Sequence, residues 1–410
     1  MIKDYRLNFR NFISFILFCI NPFICYVYST LSYIKGRGKN SVFFLSLSLA
    51  IIFIYLPIMY DTSANFYKVH YLMDGEIPNL YNWFAVKMRS YITIDFYYFI
   101  FLYVFVILYS WFKCVGYQYD TSEKYKTIYL LIVALFSLNY RDIMDINRNC
   151  YAYSVFLIYY YYLKDRFPNF KIFFLLLTLS ISISIHISAI LLWLIFLITN
   201  IRKFKGRALD IAFYMSVVLA FVMPIILNLS QGILGSIGGA FTSRLMYYLY
   251  DSGFAVQDFT ISTLMKKILN FILIFFIGIL CILDRKRNND SRINLILILC
   301  TLSLLFSSYV TLFERISLAV TLLYFYAIFK INGFPNLKKI ILLLIVSRTV
   351  ILNLLVYFPI FIGDYSNVLP NYNNKLELEA KPFYLNTFYL LDIDNGYSDK
   401  YLIRNDIWGK

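Results

Sequence analysis

Charged residues are scarce in this chain. Only 15% of its 410 residues are Asp, Glu, Lys or Arg, whereas 60% are apolar. Soluble domains carry about 25% charged residues, so the composition excludes an ordinary soluble protein. Apolar runs recur instead, many of them near the roughly 20 residues that a helix needs to cross a bilayer. The sequence therefore predicts an all-α fold, a polytopic transmembrane helix bundle.

Several chemical signatures are also missing. None of the six cysteines forms a CxxC pair, and the chain has two histidines. No HExxH, P-loop or GxSxG pattern occurs, so the common zinc, nucleotide and serine-hydrolase sites are excluded. We therefore expect no metal and no cofactor. The net charge of +15 lies mostly in short loops between apolar runs, which is typical of cytoplasmic loops rather than of a nucleic-acid partner.

The apolar runs predict about 11–12 crossings, some of them short enough to require tilted or recessed helices. The predicted crossings are Asn11–Ile34, Ser41–Tyr60, Tyr91–Phe112, Thr127–Tyr140, Asn149–Leu163, Ile172–His186, Ile187–Thr199, Asp210–Ser230, Ile268–Leu283, Ile293–Val310, Ile316–Phe329 and Ile340–Ile362.

The loops between these runs fall into two charge classes. Alternate loops carry an excess of Lys and Arg, which predicts that they face the cytoplasm. The remaining loops, at 61–90 and 231–265, are nearly neutral, and the 363–410 tail is acidic. We interpret residues 1–362 as a single transmembrane domain with outer loops at 61–90 and 231–265, followed by an outer C-terminal tail. The chain is then expected in the bacterial cytoplasmic membrane.

Two long apolar runs each lie between a pair of basic loops, and each must cross an even number of times. The apex of the first then falls near His186, and that of the second at Glu314 and Arg315. Both apices are predicted to face outward. A different run, Asn11–Ile34 at the start of the chain, contains Asn21–Pro22. It leaves two alternatives open: one crossing, or a broken hairpin.

Candidate functional residues gather in the predicted outer regions. Arg148 could bind a phosphate or diphosphate through bidentate hydrogen bonds, or it could be an interfacial arginine. His186 interrupts an apolar run and could orient or deprotonate a hydroxyl, or be a structural histidine. Arg315 is a second candidate for an anion, although a hairpin apex facing solvent also explains it. Arg244 precedes Tyr247, whose ring could stack on a sugar, unless this segment is an interfacial helix.

Arg348 differs because it lies deep inside an apolar run, where an ionisable residue suggests a function or a buried partner. We expect it to pair with a carboxylate or backbone carbonyls. Asp142, Asp145 and Glu314 are candidate general bases, with the outer carboxylates Asp61 and Asp74 as further options. Spacing alone does not choose among these carboxylates.

Residues 147–190 resemble the EpsG-like branch of the Wzy-type O-antigen and capsular polysaccharide polymerases. Those proteins begin one helix with Arg-Gln-polar-aliphatic-Ala and end a later one with Phe-His-any-Ser-Ala. The corresponding segments are Arg148–Ala152 and Ile185–Ala189, with Asn149 in place of Gln and Ile185 in place of Phe. Further similarity lies at Asp61–Tyr71 (DTSANFYKVHY) and Arg315–Ser317.

This resemblance implies a glycosyltransferase with a GT-C-like integral membrane architecture. A glycan on undecaprenyl diphosphate would move to a new lipid-linked repeat unit, extending O-antigen, capsule or exopolysaccharide. Its catalytic residues would come from His186, Glu314, Asp142 and Asp145. Its substrate-binding residues would come from Arg148, Arg244, Arg315, Arg348 and Tyr247. The implied partners are both lipid-linked glycans and membrane lipid, with a chain-length regulator and a flippase of the same pathway as further candidates.

Two other classes remain as alternatives. A lipid-linked oligosaccharide flippase or other transporter would also have many helices and basic cavity residues, but it needs a path between both membrane faces. A membrane O-acyltransferase usually carries its His and Arg near the start of the chain, and the first apolar run here contains no His.

Overall fold

Long apolar stretches with few glycines or prolines favour helix, and helix dominates the chain. A computed structural model describes residues 9–37, 41–56, 60–71, 79–118, 126–138, 140–201, 207–236, 261–288, 290–357 and 376–404. Over these residues the secondary structure is entirely helical. In a bilayer a helix satisfies its own backbone hydrogen bonds, which fits the predicted all-α membrane class.

The chain forms two compact units. Unit 1 comprises Met1–Leu135, Asn139–Ala189 and Asn353–Lys410. Its helices are α1 (Phe9–Ile20), α2 (Pro22–Ser32), α3 (Ser41–Ile54), α4 (Tyr60–Tyr71), α5 (Leu80–Ile92), α6 (Phe96–Gln118), α7 (Lys126–Phe136, whose last residue belongs to unit 2), α8 (Tyr140–Asp145), α9 (Asn147–Ile158), α10 (Lys164–Arg166) and α11 (Lys171–Ile185). A π-helix at Tyr33–Arg37 extends α2, and a second one at Tyr159–Leu163 extends α9.

Unit 2 comprises Phe136–Leu138 and Ile190–Leu352. Its helices are α12 (Ala189–Ile201), α13 (Ala208–Ser236), α14 (Ile261–Arg285), α15 (Ser291–Leu305), α16 (Val310–Leu323), α17 (Phe325–Lys330) and most of α18 (Pro335–Tyr357). Three short helices then return to unit 1: α19 (Leu376–Tyr384), α20 (Thr387–Leu391) and α21 (Asp399–Arg404).

Four helical stretches in the described residues are long and apolar enough to cross a membrane. They are Phe96–Gln118, Pro168–Ile185, Lys267–Arg285 and Leu312–Lys330. Shorter apolar helices of 10–17 residues coincide with six further predicted crossings: Asn11–Ile20, Ser41–Ile54, Thr127–Phe136, Ala189–Ile201, Ala208–Met223 and Ser291–Leu305. The helical membrane class is therefore supported, while the full set of predicted crossings stays a prediction.

The first apolar run folds as a broken hairpin. Asn21 adopts an extended conformation between α1 and α2, and its side chain accepts a hydrogen bond from the Ile24 backbone N–H at 3.0 Å. Pro22 follows at the first position of α2, where its missing N–H costs nothing. The Cys25 thiol donates to the Ser14 carbonyl at 3.3 Å. A continuous helix would separate these two residues by about 16 Å, so the chain reverses at Asn21.

Two sequence predictions need correction. The segment at 61–90, expected to be a loop, contains α4 and α5. The second predicted apex is also displaced, because α15 ends at Leu305 and α16 begins at Val310. Ser303 and Ser317 lie 2.8 Å apart through their hydroxyls, so the two helices run side by side about a turn near residue 310. Glu314 and Arg315 therefore lie inside α16, and the turn precedes them.

Candidate functional site

The amino terminus of α9 carries three consecutive polar side chains. The chain leaves α8 at Ile146, which has φ −114° and ψ 37° and provides no side-chain cap for α9. Asn147 and Asn149 are buried, whereas Arg148 is partly exposed. The first backbone N–H groups of a helix lack partners within it and carry partial positive charge, which favours an anion. Arg148 adds a full positive charge to this helix end.

His186 occupies the break between α11 and α12. It adopts an extended conformation (φ −153°, ψ 123°) that ends α11, while its backbone N–H still donates to the Ser182 carbonyl at 3.1 Å. The Ser188 backbone N–H donates to His186 Nδ1 at 3.1 Å. This contact orients the ring within the turn. The predicted break at this position is confirmed.

Hydrogen bonds join these two segments of unit 1. The Ser188 hydroxyl lies 3.1 Å from Asn149 Oδ1 and 2.7 Å from His186 Nδ1. One turn earlier on α11, the Ser182 hydroxyl donates to the Ala152 carbonyl at 2.7 Å. The neighbours of Arg148 and His186 are thus in direct contact. The two segments that resemble the polymerases lie beside each other, at the start of α9 and the end of α11.

Residues from α4 and α5 also reach this junction, although sequence reasoning did not single them out. Tyr81 donates through its hydroxyl to Asn147 Oδ1 at 3.0 Å. Thr62 donates to the Met144 carbonyl on α8 at 2.6 Å. The Tyr81 ring also stacks on Tyr103, with ring centroids 4.2 Å apart. The resemblance of 61–71 to the polymerases was the one sequence signal that pointed to this region.

Buried carboxamides are a second feature of the junction. The side-chain nitrogens of Asn147 and Asn149 have no hydrogen-bond partner among the described residues. A buried donor without an acceptor costs about 1–3 kcal/mol. Unused donors beside a helix amino terminus favour a ligand that brings acceptor oxygens. We define the α9 junction as Tyr81, Asn147, Arg148, Asn149, His186 and Ser188.

The remaining predicted site residues lie elsewhere or outside the described part of the chain. Asp142 is buried in α8, and its carbonyl accepts a hydrogen bond from the Cys150 thiol at 3.3 Å. Arg244 and Tyr247 fall outside the described residues, as does the side chain of Asp145. Asp61 lies in α4, but its side chain is outside the described part of the chain, and Asp74 lies outside the described residues altogether.

Three further candidates belong to unit 2. Glu314 and Arg315 are partly exposed on α16. Arg348 is buried within α18, and its Nε donates to Asn270 Oδ1 at 2.5 Å. This contact of Arg348 is to a side-chain amide, where we had expected a carboxylate or backbone carbonyl. The prediction that Glu314, Arg315 and Arg348 join His186 in one cavity stays a prediction.

Within the described ranges, no group of three or more His, Cys, Asp and Glu residues is placed to hold a metal ion. The α9 junction itself contributes arginine, imidazole, carboxamide and hydroxyl groups.

No family model, curated protein or solved structure matches the chain. The resemblance to the EpsG-like polymerases therefore depends on the sequence segments alone.

Proposed function

We propose that this chain is a membrane polymerase that joins lipid-diphosphate-linked oligosaccharide repeat units, and that the α9 junction binds the departing diphosphate. The observation that carries the proposal is the contact between the two polymerase-like segments through Ser188 and Asn149 at 3.1 Å. These segments are separated in sequence by most of α9, the π-helix and α11. Their contact at adjoining helix ends is the arrangement that a shared site requires.

The chemistry of the junction suits this reaction. An acceptor hydroxyl attacks the anomeric carbon of the donor, a new C–O bond forms, and the bond to the lipid diphosphate breaks. Negative charge develops on the leaving diphosphate. Arg148 and the first N–H groups of α9 can stabilise that charge by charge-assisted hydrogen bonds. The His186 imidazole can form a further hydrogen bond with the substrate. The acceptor proton passes to a base, for which Asp142, Asp145 and Glu314 are the candidates.

The membrane location also agrees with the substrate. A lipid-linked glycan has its polar head at the membrane surface and its tail in the hydrocarbon. A site at helix ends, with apolar helices extending from it, can contact both parts. In this proposal the α9 junction faces the outside of the bacterial cytoplasmic membrane, as the distribution of Lys and Arg predicts.

The test is complementation of a deletion strain, followed by gel analysis of surface glycan. The wild-type gene should restore a ladder of polymer lengths, and Arg148→Ala should leave a single repeat unit at a normal protein level. Arg148→Lys should restore the ladder only in part, because lysine keeps the charge but loses the planar fork. Arg166 is an exposed arginine in α10, just beyond the π-helix that extends α9, so Arg166→Ala is the matched control and should behave like wild type.

Three results would overturn the proposal. A full ladder from Arg148→Ala at normal abundance would remove the arginine from the reaction. Loss of every repeat unit in the deletion strain, rather than loss of polymer length alone, would favour a flippase. An unchanged ladder with altered acetylation would favour an O-acyltransferase.

A further inference from the structure

Asp399, at the start of α21, is the centre of a buried polar cluster in unit 1. Its Oδ2 lies 2.8 Å from His70 Nε2 and 3.7 Å from Arg89 Nε. Its Oδ1 accepts a hydrogen bond from the Phe96 backbone N–H at 2.9 Å. The same carboxylate thus joins the end of α4, the end of α5 and the first residue of α6. In the last of these contacts it caps α6, whose first N–H groups have no partners within the helix.

The His70 ring is oriented by a second contact. Its Nδ1 lies 3.0 Å from the Phe66 carbonyl oxygen, while Nε2 faces the Asp399 carboxylate. The side chains of His70 and Asp399 are only 3% and 10% exposed. This contact is therefore shielded from solvent, unlike an ordinary surface contact.

Helices α4 and α5 extend from this cluster to the α9 junction. Thr62 lies eight residues before His70, and Tyr81 lies eight residues before Arg89. Eight residues of helix span about 12 Å. Thr62 donates to the Met144 carbonyl, and Tyr81 donates to Asn147 Oδ1. Each helix therefore contacts Asp399 near its C-terminal end and the α8–α9 region near its N-terminal end.

The rest of the C-terminal segment is anchored independently. Asn21 Nδ2 donates to the Pro382 and Leu385 carbonyls at 3.1 and 2.7 Å. The Tyr55 hydroxyl donates to the Leu390 carbonyl at 2.8 Å. Gly396 lies so close to Tyr55 that a Cβ added to it would be 2.9 Å from the ring. The segment that carries Asp399 is therefore packed into unit 1, and its outer location stays a prediction.

We infer that Asp399 is a positioning residue for the α9 junction. It fixes the C-terminal ends of α4 and α5, and these helices hold Thr62 and Tyr81 against α8 and α9. Asp399 acts on Thr62 and Tyr81 across eight residues of helix, which span about 12 Å. Its loss should loosen the α8–α9 region while leaving the long apolar helices in place.

The test is hydrogen–deuterium exchange on the purified full chain in detergent micelles. Asp399→Asn keeps an oxygen that can accept from Phe96 N–H but removes the ion pairs with His70 and Arg89. It should raise amide exchange about tenfold in 60–71, 80–92 and 140–149, because these segments then open more often. Exchange within 267–285 should not change. Asp394→Asn is the matched control, since Asp394 is exposed in the same segment, and it should leave all four regions unchanged.

Unchanged exchange at 140–149 in Asp399→Asn would overturn the inference, whatever happens to activity. If that variant does not accumulate, Arg89→Gln removes only the longer ion pair and should give a smaller rise in the same segments. Unchanged amide exchange in these segments of the Arg89→Gln variant would also overturn the inference.

Only the activity readout depends on the proposed function. With a lipid-linked substrate, Asp399→Asn should lower kcat more than it raises KM, because Asp399 orients the site without touching the substrate. Raised exchange at 140–149, combined with a deletion strain that keeps its full ladder, would reject the polymerase and leave the positioning role intact.

Discussion

Selected polar contacts of the two units lie at different places on their helices. In unit 1, Ser188 on Asn149 and Asp399 on the first N–H of α6 are contacts at helix ends. In unit 2 the contact between Arg348 and Asn270 joins the interiors of two helices. A helix end has unpaired backbone groups that can serve a ligand, whereas a helix interior has none. Under the proposed function we therefore expect the unit 1 contacts to serve the reaction and the Arg348 contact to be structural.

The largest effect is expected from an apolar replacement in unit 1. Asn149→Leu combined with Ser188→Ala removes the contact between the two polymerase-like segments. Polymer formation should fall on the order of 100-fold, because small displacements of positioning groups can have effects of that size. The initial rate of ladder formation measures it.

Thr178→Val is the control for this double variant. The Thr178 hydroxyl bonds within its own helix, to the Phe174 carbonyl at 2.5 Å. Its loss should leave the rate near that of wild type. If the double variant polymerises normally, the distinction between the units disappears.

An intermediate effect is expected from the equivalent replacement in unit 2. Arg348→Ala leaves the Asn270 amide oxygen buried without this donor, and should lower the free energy of unfolding by about 1–3 kcal/mol. Arg348→Met combined with Asn270→Leu replaces both partners by apolar groups, and should recover stability to within about 1 kcal/mol. Thermal unfolding in detergent reports the stability.

The ladder assay supplies the second readout for unit 2. A structural contact predicts that the Arg348→Met, Asn270→Leu double variant polymerises. Stable but inactive protein would show that Arg348 serves the reaction, as the sequence first suggested for a charge at that depth.

The smallest effect is expected at Asp95, whose Oδ2 accepts from the Asp399 backbone N–H at 3.4 Å. Burial, and next the charge of Asp399, raise the pKa of the Asp95 carboxyl above its ordinary value of 3.8. The folded protein then binds this proton more tightly than the unfolded chain, so this contribution to stability is present at low pH. It is lost as pH rises from 3.8 through the raised pKa.

At neutral pH the ionised Asp95 opposes Asp399, so Asp95→Asn should stabilise unit 1 by less than about 1 kcal/mol, because the group is partly exposed. The gain should vanish below pH 3.8, the ordinary value for this carboxyl. Unfolding of the variant and the wild type across this range measures the difference. A gain that grows as pH falls would contradict the sign.

Local sequence signals predicted the helices and some of their breaks. Asn21 is a favourable N-cap residue and Pro22 a favourable first residue of a helix. The sequence therefore predicted a reversal at this point as one of two alternatives. The break at His186 was found because basic loops flank its run. The same argument from flanking basic loops misplaced the second apex at Glu314. A charged residue can also lie inside a helix if neighbouring protein groups contact it. The turn instead uses 306–309, a stretch without charge.

Long-range packing was the part that sequence did not reveal. The acidic composition of 363–410 predicted only that this segment faces outward, and it did not reveal that Leu390, Ile393, Tyr397 and Leu402 are buried. Asp399 meets His70 across 329 positions of sequence. No periodicity within the tail identifies such a partner, because the pairing is decided by tertiary packing of unit 1. The roles of Tyr81 and Thr62 were missed for the same reason.

The discontinuity of unit 1 has a consequence for biosynthesis. Its first two segments end at Ala189, but Asp399 is made only after another 210 residues (399 − 189). At about 5–20 residues per second, the ribosome needs roughly 10–40 s for that stretch. During this interval, while the translocon inserts unit 2, α4, α5 and the start of α6 lack their contacts with Asp399. A nascent chain stalled before Gly396 would therefore display an unfinished surface to membrane quality-control proteases, even though most of its apolar helices had already been inserted.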